Sequence, residues 1–565
     1  MRVLGFNCYA HNAAAALVED GRLTHYVQEE RLSRRKHDGR LPRLAMAWCL
    51  EQAGLRADEL DAAAFHWQPL HGLPQRGRML LQNLPRALRM GSAHGGTYAD
   101  LLQAGARFRS TFGLGRRHPP LTHVRHHLAH AASAFLPSPF DSAAILTLDG
   151  NGEIASTQLA MGEGSRIRVL EEVDYPHSLG YLYAAVTHYL GFDPEGDQYK
   201  VMGLAPFGDE SLVERFREVL HPLPGGTFEV DLSYVDYPAG GRDPWVSRRF
   251  VETFGPVRPR GAPLEDRHRA VARAMQAALE EVALHLAHRL HQRTGARRLC
   301  LAGGVALNSA MNGRLQREGP FEELWIQPAA NDAGASIGAA LQVYHQLAPR
   351  APRQPLESVF LGPGFGSEEV RRALEASGLP FEQLPEEALV EEVARRLDEG
   401  EVLAHFSGRM AVGARALGDR SILADPRRAE MKDRVNLKVK HREPFRPFAP
   451  SILEEAAPEW FEGCGRSPYM TTVFPVREGF KDRIPAVTHV DGTARVQTVS
   501  AADHPRYRRV IEAFGRRTGV PVVLNTSLNV MGEPIVNTPE EALACLQATD
   551  LDGMVIEDFL VRKTG

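Results

Sequence analysis

The sequence predicts a mixed α/β chain of two domains, the first carrying an internal duplication. Three observations predict it. A strand–turn–strand unit opens the chain, a unit of the same pattern recurs at Ala143–Glu171, and the Pro- and Arg-rich stretch Gln346–Glu357 breaks all periodicity. The length, 565 residues, exceeds what one hydrophobic core supports. The expected domains are 1–350 and 351–565.

In the first unit, Val3–Asn7 reads as a strand, Ala13–Val18 as a second, Asp20-Gly21 as the turn and Leu23–Val27 as the return. In the second, Ala-Ile-Leu-Thr-Leu runs into Asp149-Gly150. Ser156–Met161, a turn at Glu163-Gly164-Ser165 and Ile167–Val173 follow. Two unrelated hairpins are the alternative to duplication. Helical periodicity covers Leu41–Ala53, His127–Phe135 and the long Arg267–Thr294. The last leads into a strand at Arg298–Ala302, then Gly303-Gly304, then another helix, an arrangement suited to anions. Beyond the break, strands are expected at Val402–Ser407 and Val522–Asn525. Helices are expected at Glu368–Ala376, with Ser367 as its N-cap, and at Leu389–Leu397 and Pro539–Ala548.

Composition narrows the function classes. Apolar residues make up 43% and charged residues 24%, with a net charge of −4, so no basic balance points to nucleic acid. Five scattered cysteines form no CxxC pair and no disulfide framework. The N-terminus turns polar too early for a signal peptide, and no apolar run reaches the roughly 20 residues needed to span a bilayer. A cytoplasmic protein without membrane partners is expected.

The sharpest local signal is His126-His127-Leu128-Ala129-His130. On a helix, His126 and His130 share a face and can grip one divalent ion. Asp149 and Asp332 each sit at an expected strand-to-turn position and add carboxylates, although Asp also serves turns and caps. Such a donor set suits iron, manganese or zinc. Gly303, Gly304 and Asn308 form a loop that a phosphate or nucleotide can approach closely, a plain tight turn being the alternative. No Walker loop occurs. Lys200, beside small residues, can pair with phosphate or simply be solvated. In 408–421 arginines alternate with glycines, among them Arg415 and Arg420. Lys438, Lys440, Arg442, Arg446 and then Asn525-Thr526-Ser527 follow. Arginine forks bind phosphate and carboxylate bidentately, while a salt-bridged surface is their ordinary fate. His11, in the loop after the first strand, can act as acid or base or be an ordinary loop histidine.

Read together, these segments resemble the ATP-dependent O-carbamoyltransferases of antibiotic and nodulation-factor biosynthesis. The resemblance runs in order through HNAAAALVEDG, EERLSRRKHDGRLP, HHLAHAASAF, LTLDGNGE, HSLGYLYAAVT, KVMGLAPFGD, LAGGVALN, NDAGASIGAAL, GARALGDRSILADPR, REPFRPFAPSIL and NTSLNVMGEPIV. It implies an N-terminal actin-like ATPase domain (duplicated ribonuclease H-like) and a C-terminal α+β domain similar to threonylcarbamoyl-AMP synthase. It implies that carbamoyl phosphate and ATP, the latter carrying magnesium, give carbamoyl adenylate in the C-terminal domain. The carbamoyl group then passes to a hydroxyl of a small-molecule acceptor in the N-terminal domain.

Carried over by resemblance, His126, His130, Asp149 and Asp332 match metal ligands that hold iron. Gly303, Gly304 and Asn308 match the nucleotide site, with Lys200 nearby. Arg415, Lys440, Arg446, Asn525 and Ser527 match the carbamoyl phosphate pocket, with Arg420 beside them. His11 matches a histidine of transfer, the base on the acceptor hydroxyl or an orienting donor. The family often forms homodimers. Ala411 and Ala414 stand where the family motif has Glu and Pro, and Asn12 stands where it has Asp. The first change removes an anion that orients an arginine; the last bears on the tautomer of His11. The competing expectations are a tRNA-modifying threonylcarbamoyl transferase and a non-catalytic scaffold on the same fold.

Overall fold

The computed structural model describes residues 1–9, 11–75, 77, 99–115, 118–237 and 245–563. By its contacts the chain divides into two compact units. One comprises Met1–Glu29 and His37–Glu357, the other Glu30–Lys36 and Ser358–Gly565. The short N-terminal segment is held in the second unit by its arginines. Arg34 donates to the carbonyls of Ile535 (2.7 Å) and Pro534 (3.2 Å), and Arg31 to that of Gly413 (3.3 Å). The boundary expected at 350/351 took no account of this segment, because a charged run carries no apolar periodicity.

The first unit holds two five-stranded sheets. In the first, β1 (Arg2–Asn7), β2 (Ala14–Glu19) and β3 (Arg22–Gln28) form an antiparallel meander. β4 (Ala62–Phe65) and β5 (Leu121–His123) then extend it in parallel from β1, giving the order β3-β2-β1-β4-β5. The second sheet repeats this plan. β6 (Ser142–Leu148), β7 (Ala155–Glu163) and β8 (Arg166–Asp174) form the meander. A small hairpin of β9 (Leu220–Pro222) and β10 (Phe228–Val230) intervenes. β11 (Arg298–Ala302) and β12 (Glu323–Ile326) then add in parallel, giving β12-β11-β6-β7-β8. The shared order establishes the duplication expected from the paired hairpins. Nearly every residue of β1, β2, β6 and β11 is buried, as expected for strands covered on both faces. Asp20 and Gly21 both adopt positive φ (48° and 86°), the turn that matches strand twist in a tight hairpin.

The second unit is built on an eight-stranded mixed sheet in the order β13-β22-β21-β14-β15-β20-β16-β19. Its strands are β13 (Phe381–Gln383), β14 (Leu403–Phe406), β15 (Arg420–Ala424), β16 (Ala449–Leu453), β19 (Gln497–Val499), β20 (Val522–Ser527), β21 (Gly553–Ile556) and β22 (Phe559–Arg562). A two-stranded ribbon of β17 (Val473–Pro475) and β18 (Thr493–Arg495) forms a separate sheet that shares its core through Phe474 and Ala494. Alternate side chains feed two cores. Ala404, Phe406, Ile422, Leu524 and Ile556 join one, and Leu403, Leu423, Val523 and Val555 the other. The helices Glu386–Asp398 and Pro505–Thr518 cover the second core through Leu389, Val393, Val510 and Phe514.

Gly366, not Ser367, is the N-cap of the Ser367–Ser377 helix. Glu369 reaches back to the Gly366 N–H, while the Ser367 hydroxyl donates to Asp558 (3.1 Å). A glutamate at the third helical position does the capping expected of serine. No described helix is long and apolar enough to cross a membrane.

Candidate active site: a histidine–aspartate quartet and an arginine cluster

In the first unit, the helix His126–Phe135 begins at His126 itself. Its preceding residue, Arg125, provides no side-chain cap. Glu153, from the loop after β6, takes that place. The His126 N–H donates to both its carboxylate oxygens (3.0 and 3.1 Å), and the Gln68 N–H to one of them (2.7 Å). A carboxylate here also meets the positive end of the helix. It fixes where the first histidine starts and so where both point.

His126 and His130, one turn apart, bring their Nε2 atoms to 3.1 Å. Asp149, directly after β6, places Oδ2 at 2.8 Å from His126 Nε2 and 3.4 Å from His130 Nε2. Asp332 places Oδ1 at 3.7 and 3.4 Å from the same atoms. All four residues are buried, with donor atoms within 4.8 Å of one another. The sequence expectation placed Asp332 at a strand-to-turn position. It is instead the first residue of the helix Asp332–Leu347.

The quartet's electrostatics call for a cation. Burial pushes the Asp149 carboxyl up, but hydrogen bonds from His126 and His130 outweigh it and hold it well below the usual range. Burial opposes protonation of His130, yet Asp149 and Asp332 raise it to about 9. Two carboxylates and two imidazoles converge on one point, a donor set that a divalent ion fits. The intervening His127 is not part of it. Its ring bonds Thr147 Oγ1 (2.7 Å) and the Ala155 carbonyl (2.9 Å), and burial pushes it down to about 3.

Two close approaches assemble the quartet. Gly303 has φ 92°, and a Cβ there would lie 2.1 Å from the Leu148 carbonyl oxygen. The chain therefore passes tightly over the end of β6, and the Gly304 N–H donates to Asp149 Oδ1 (2.9 Å). The glycine loop thus orients the Asp149 carboxylate. At Gly338, an added Cβ would lie 1.7 Å from the Ala129 carbonyl oxygen, so the Asp332 helix crosses the histidine helix at backbone distance. Glu153→Gln is expected to weaken divalent-metal binding by about 10-fold or more, as loss of a supporting partner does. Chelator-competition titration reads this; unchanged affinity would remove the anchoring role.

The other expected residues of this unit lie apart from the quartet. The Asn308 carboxamide exchanges hydrogen bonds with Gln276 (2.8 and 3.0 Å) and caps the Ser309–Glu318 helix through the Met311 N–H (2.9 Å). Its side chain therefore ties two helices together. Lys200 Nζ pairs with Asp197 at 3.0 Å, above the Phe192 ring. His11 is half-buried, and no described hydrogen bond joins it to the quartet. Asn12 does not face His11: its carboxamide oxygen pairs with His37 Nδ1 (2.9 Å), and Tyr9 and Asn12 flank His11 with positive φ.

In the second unit, Lys440 follows a π-turn at Val435–Val439, a feature often found at functional sites. Its ammonium donates to Ser527 O (2.7 Å), Ser527 Oγ (3.3 Å), Asn529 O (2.8 Å) and Asn529 Oδ1 (2.6 Å). Burial, then repulsion from Arg442 and Arg446, pushes it well below its usual range. Arg495 behaves alike: burial, then repulsion from Arg415, Arg442 and Arg446, pushes it down. Its Nε is buried without a hydrogen bond. The structure thus gathers Arg415, Arg442, Arg446 and Arg495 into one cluster, adjoining Lys440 and Ser527. Asn525 donates to Ser451 (3.1 Å), Gln497 (3.0 Å) and the Ala416 carbonyl (3.3 Å), leaving its own oxygen buried and unpaired.

Arg495 was missed from sequence: it stands in the three-residue strand β18, and its companions lie far along the chain. Arg420, expected with the anion ligands, is fully buried. It donates to the carbonyls of Gly408, Asp419 and Pro363 (3.0–3.1 Å) over the face of Phe406. Asp419 laces the loop itself, accepting from the N–H groups of Ala411 and Leu417 (both 2.9 Å).

Residues 2–341 match the family model of the carbamoyltransferase N-terminus, and residues 394–563 that of the carbamoyltransferase C-terminus. Uncharacterized protein sll1178 of Synechocystis is 41% identical, covering 100% of this chain and 97% of that protein. Nodulation protein NolNO of Sinorhizobium fredii is 40% identical, covering 99% and 80%. Nodulation protein NolO of Bradyrhizobium diazoefficiens is 42% identical, covering 78% and 79%.

Proposed function

The chain belongs to the carbamoyltransferase family, and on that premise we propose that it is an ATP-dependent O-carbamoyltransferase working in two steps. The observation that carries this reading is the guanidinium cluster around Arg495. Guanidinia gathered in a half-buried place repel one another, an anion among them relieves that repulsion, and arginine forks match phosphate oxygens. Carbamoyl phosphate fits there. A water molecule attacks carbamoyl phosphate, the bond between phosphorus and the bridging oxygen breaks, and phosphate leaves while that oxygen stays on the carbamate. A carbamate oxygen then bonds the α-phosphorus of ATP as the bond from that phosphorus to the β-phosphate oxygen breaks. Pyrophosphate departs with the electron pair, giving carbamoyl adenylate.

In the first unit, the acceptor hydroxyl oxygen bonds the carbamoyl carbon. The bond to the AMP phosphate oxygen breaks, AMP leaves with that pair, and His11 takes the hydroxyl proton. His126, His130, Asp149 and Asp332 would hold a divalent ion, iron by the resemblance. When bound, it supplies charge stabilisation to the departing phosphate. Gly303 and Gly304 offer a backbone surface to the nucleotide, and magnesium accompanies ATP. The acceptor is a hydroxylated small molecule such as a natural product or sugar, and the setting is cytoplasmic.

The test is pyrophosphate release by metal-loaded protein. It is expected only with ATP and carbamoyl phosphate together, to be lost in Lys440→Ala and to persist in His11→Asn. No release under any of these conditions would end the proposal; equal loss in both variants would end the division of steps.

A further inference from the structure

The pocket read above as the carbamoyl phosphate site holds a residue that the two steps leave unused. The Lys440 ammonium carries three N–H groups. Three oxygens lie close to it: Asn529 Oδ1 (2.6 Å), Ser527 O (2.7 Å) and Asn529 O (2.8 Å), with Ser527 Oγ a more distant fourth at 3.3 Å. Two of the close three are backbone carbonyls. Only Oδ1 belongs to a side chain, and that side chain is itself held. Asn529 Nδ2 donates to the Glu533 carbonyl (2.8 Å), which turns Oδ1 to the ammonium. The same Oδ1 accepts from the Ser527 hydroxyl (2.7 Å). Reversing the carboxamide would set its NH2 against two donors, one of them charged, and its oxygen against a carbonyl.

One carboxamide therefore fixes the direction of two groups, Lys440 and Ser527. Leu528, between Ser527 and Asn529, is fully buried in the core and anchors the turn. An acceptor placed on an ammonium favours its charged form. Lys440 depends on such help. Burial, then repulsion from Arg442 and Arg446, pushes it well below its usual range, and Cys545 and Lys36 are the other titratable groups acting on it.

We propose that Asn529 is a positioning residue of the carbamoyl phosphate pocket, holding the Lys440 ammonium and the Ser527 hydroxyl in place through its Oδ1. The proposal rests on the reading of the Arg495 cluster as an anion site and adds to it an uncharged residue that acts through Lys440.

The test is anion binding without turnover. Sulfate stands in for the phosphate group and keeps its charge over the titration range. Calorimetry on the full-length native protein is expected to show sulfate binding that weakens as pH rises and Lys440 loses its proton. Asn529→Leu keeps the shape of the side chain without its hydrogen bonds. Its sulfate affinity at neutral pH is expected to fall about 10-fold or more, the scale of losing one hydrogen bond to a charged group. The weakening should also set in at lower pH, because the lost acceptor favoured the charged ammonium. In Lys440→Met the pH dependence is expected to vanish, and adding Asn529→Leu to it should cost no further affinity.

An unchanged affinity or an unmoved pH profile in Asn529→Leu overturns the proposal. So does a native protein that binds no sulfate. A pH dependence kept in Lys440→Met overturns it too, as does an equal loss from Asn529→Leu on either background, which would mean that Asn529 shapes the loop without Lys440. If Asn529→Leu does not fold, Asn529→Asp decides by the opposite sign. Its carboxylate favours the charged ammonium, so the weakening should move to higher pH, and an unmoved profile overturns the proposal. Pyrophosphate release plays no part here, so failure of the two-step reading registers separately.

Discussion

Arg495→Leu is expected to lower carbamoyl phosphate-dependent pyrophosphate release by roughly 100-fold or more, the scale of losing one preorganised charge-stabilising donor. The same variant is expected to melt at or above the native temperature. The two outcomes share one cause. Burial and three neighbouring guanidinia disfavour the charge on Arg495 in the folded protein. Removing it relieves that repulsion, while leucine suits the flanking Ala494 and Val496, which are fully buried. Added phosphate should raise the melting temperature of the native protein by mass action and that of the variant much less. A structural arginine would give the opposite pattern, with lower melting and retained activity. Arg420→Leu serves as the contrast in stability: its guanidinium braces three backbone carbonyls, so its loss should lower the melting temperature.

That contrast shows why the sequence could be read only in part. Arg415 and Arg420 lie in one arginine–glycine stretch, and spacing gives them equal standing. Only burial and partners separate a guanidinium spent on carbonyls from one that repels its neighbours. Arg495 stands alone in a three-residue strand, and its companions come from distant loops, so no local pattern announced it. Asn308 carried a local sign, an asparagine opening a helix, which is what an N-cap looks like. The paired hairpins were legible because strand alternation and Asp-Gly turns are local. The order of the parallel strands was not. His126 and His130 were legible by helical spacing, whereas Asp149 and Asp332 needed the tertiary fold to bring them there.

Gly338→Ala is expected to destabilise the first unit by about 3 kcal/mol or more and to abolish retention of a divalent ion. The added Cβ would lie 1.7 Å from the Ala129 carbonyl oxygen and 2.7 Å from the Ser133 backbone nitrogen. Both are backbone atoms of the helix that carries His126 and His130, so no side chain can swing away. The helices must separate, and Asp332 moves with its own helix. Its Oδ1 is 3.4 Å from His130 Nε2, and a metal site tolerates ligand displacements of only about 0.2 Å. Metal retention should therefore fail even where the variant still folds. Gly115→Ala is the control, since nothing lies within 4 Å of its added Cβ. Metal content after dialysis, read beside a thermal melt, separates the two effects. A Gly338→Ala protein that keeps its metal would mean that the quartet tolerates a wider helix spacing, and Gly338 would then matter for packing alone.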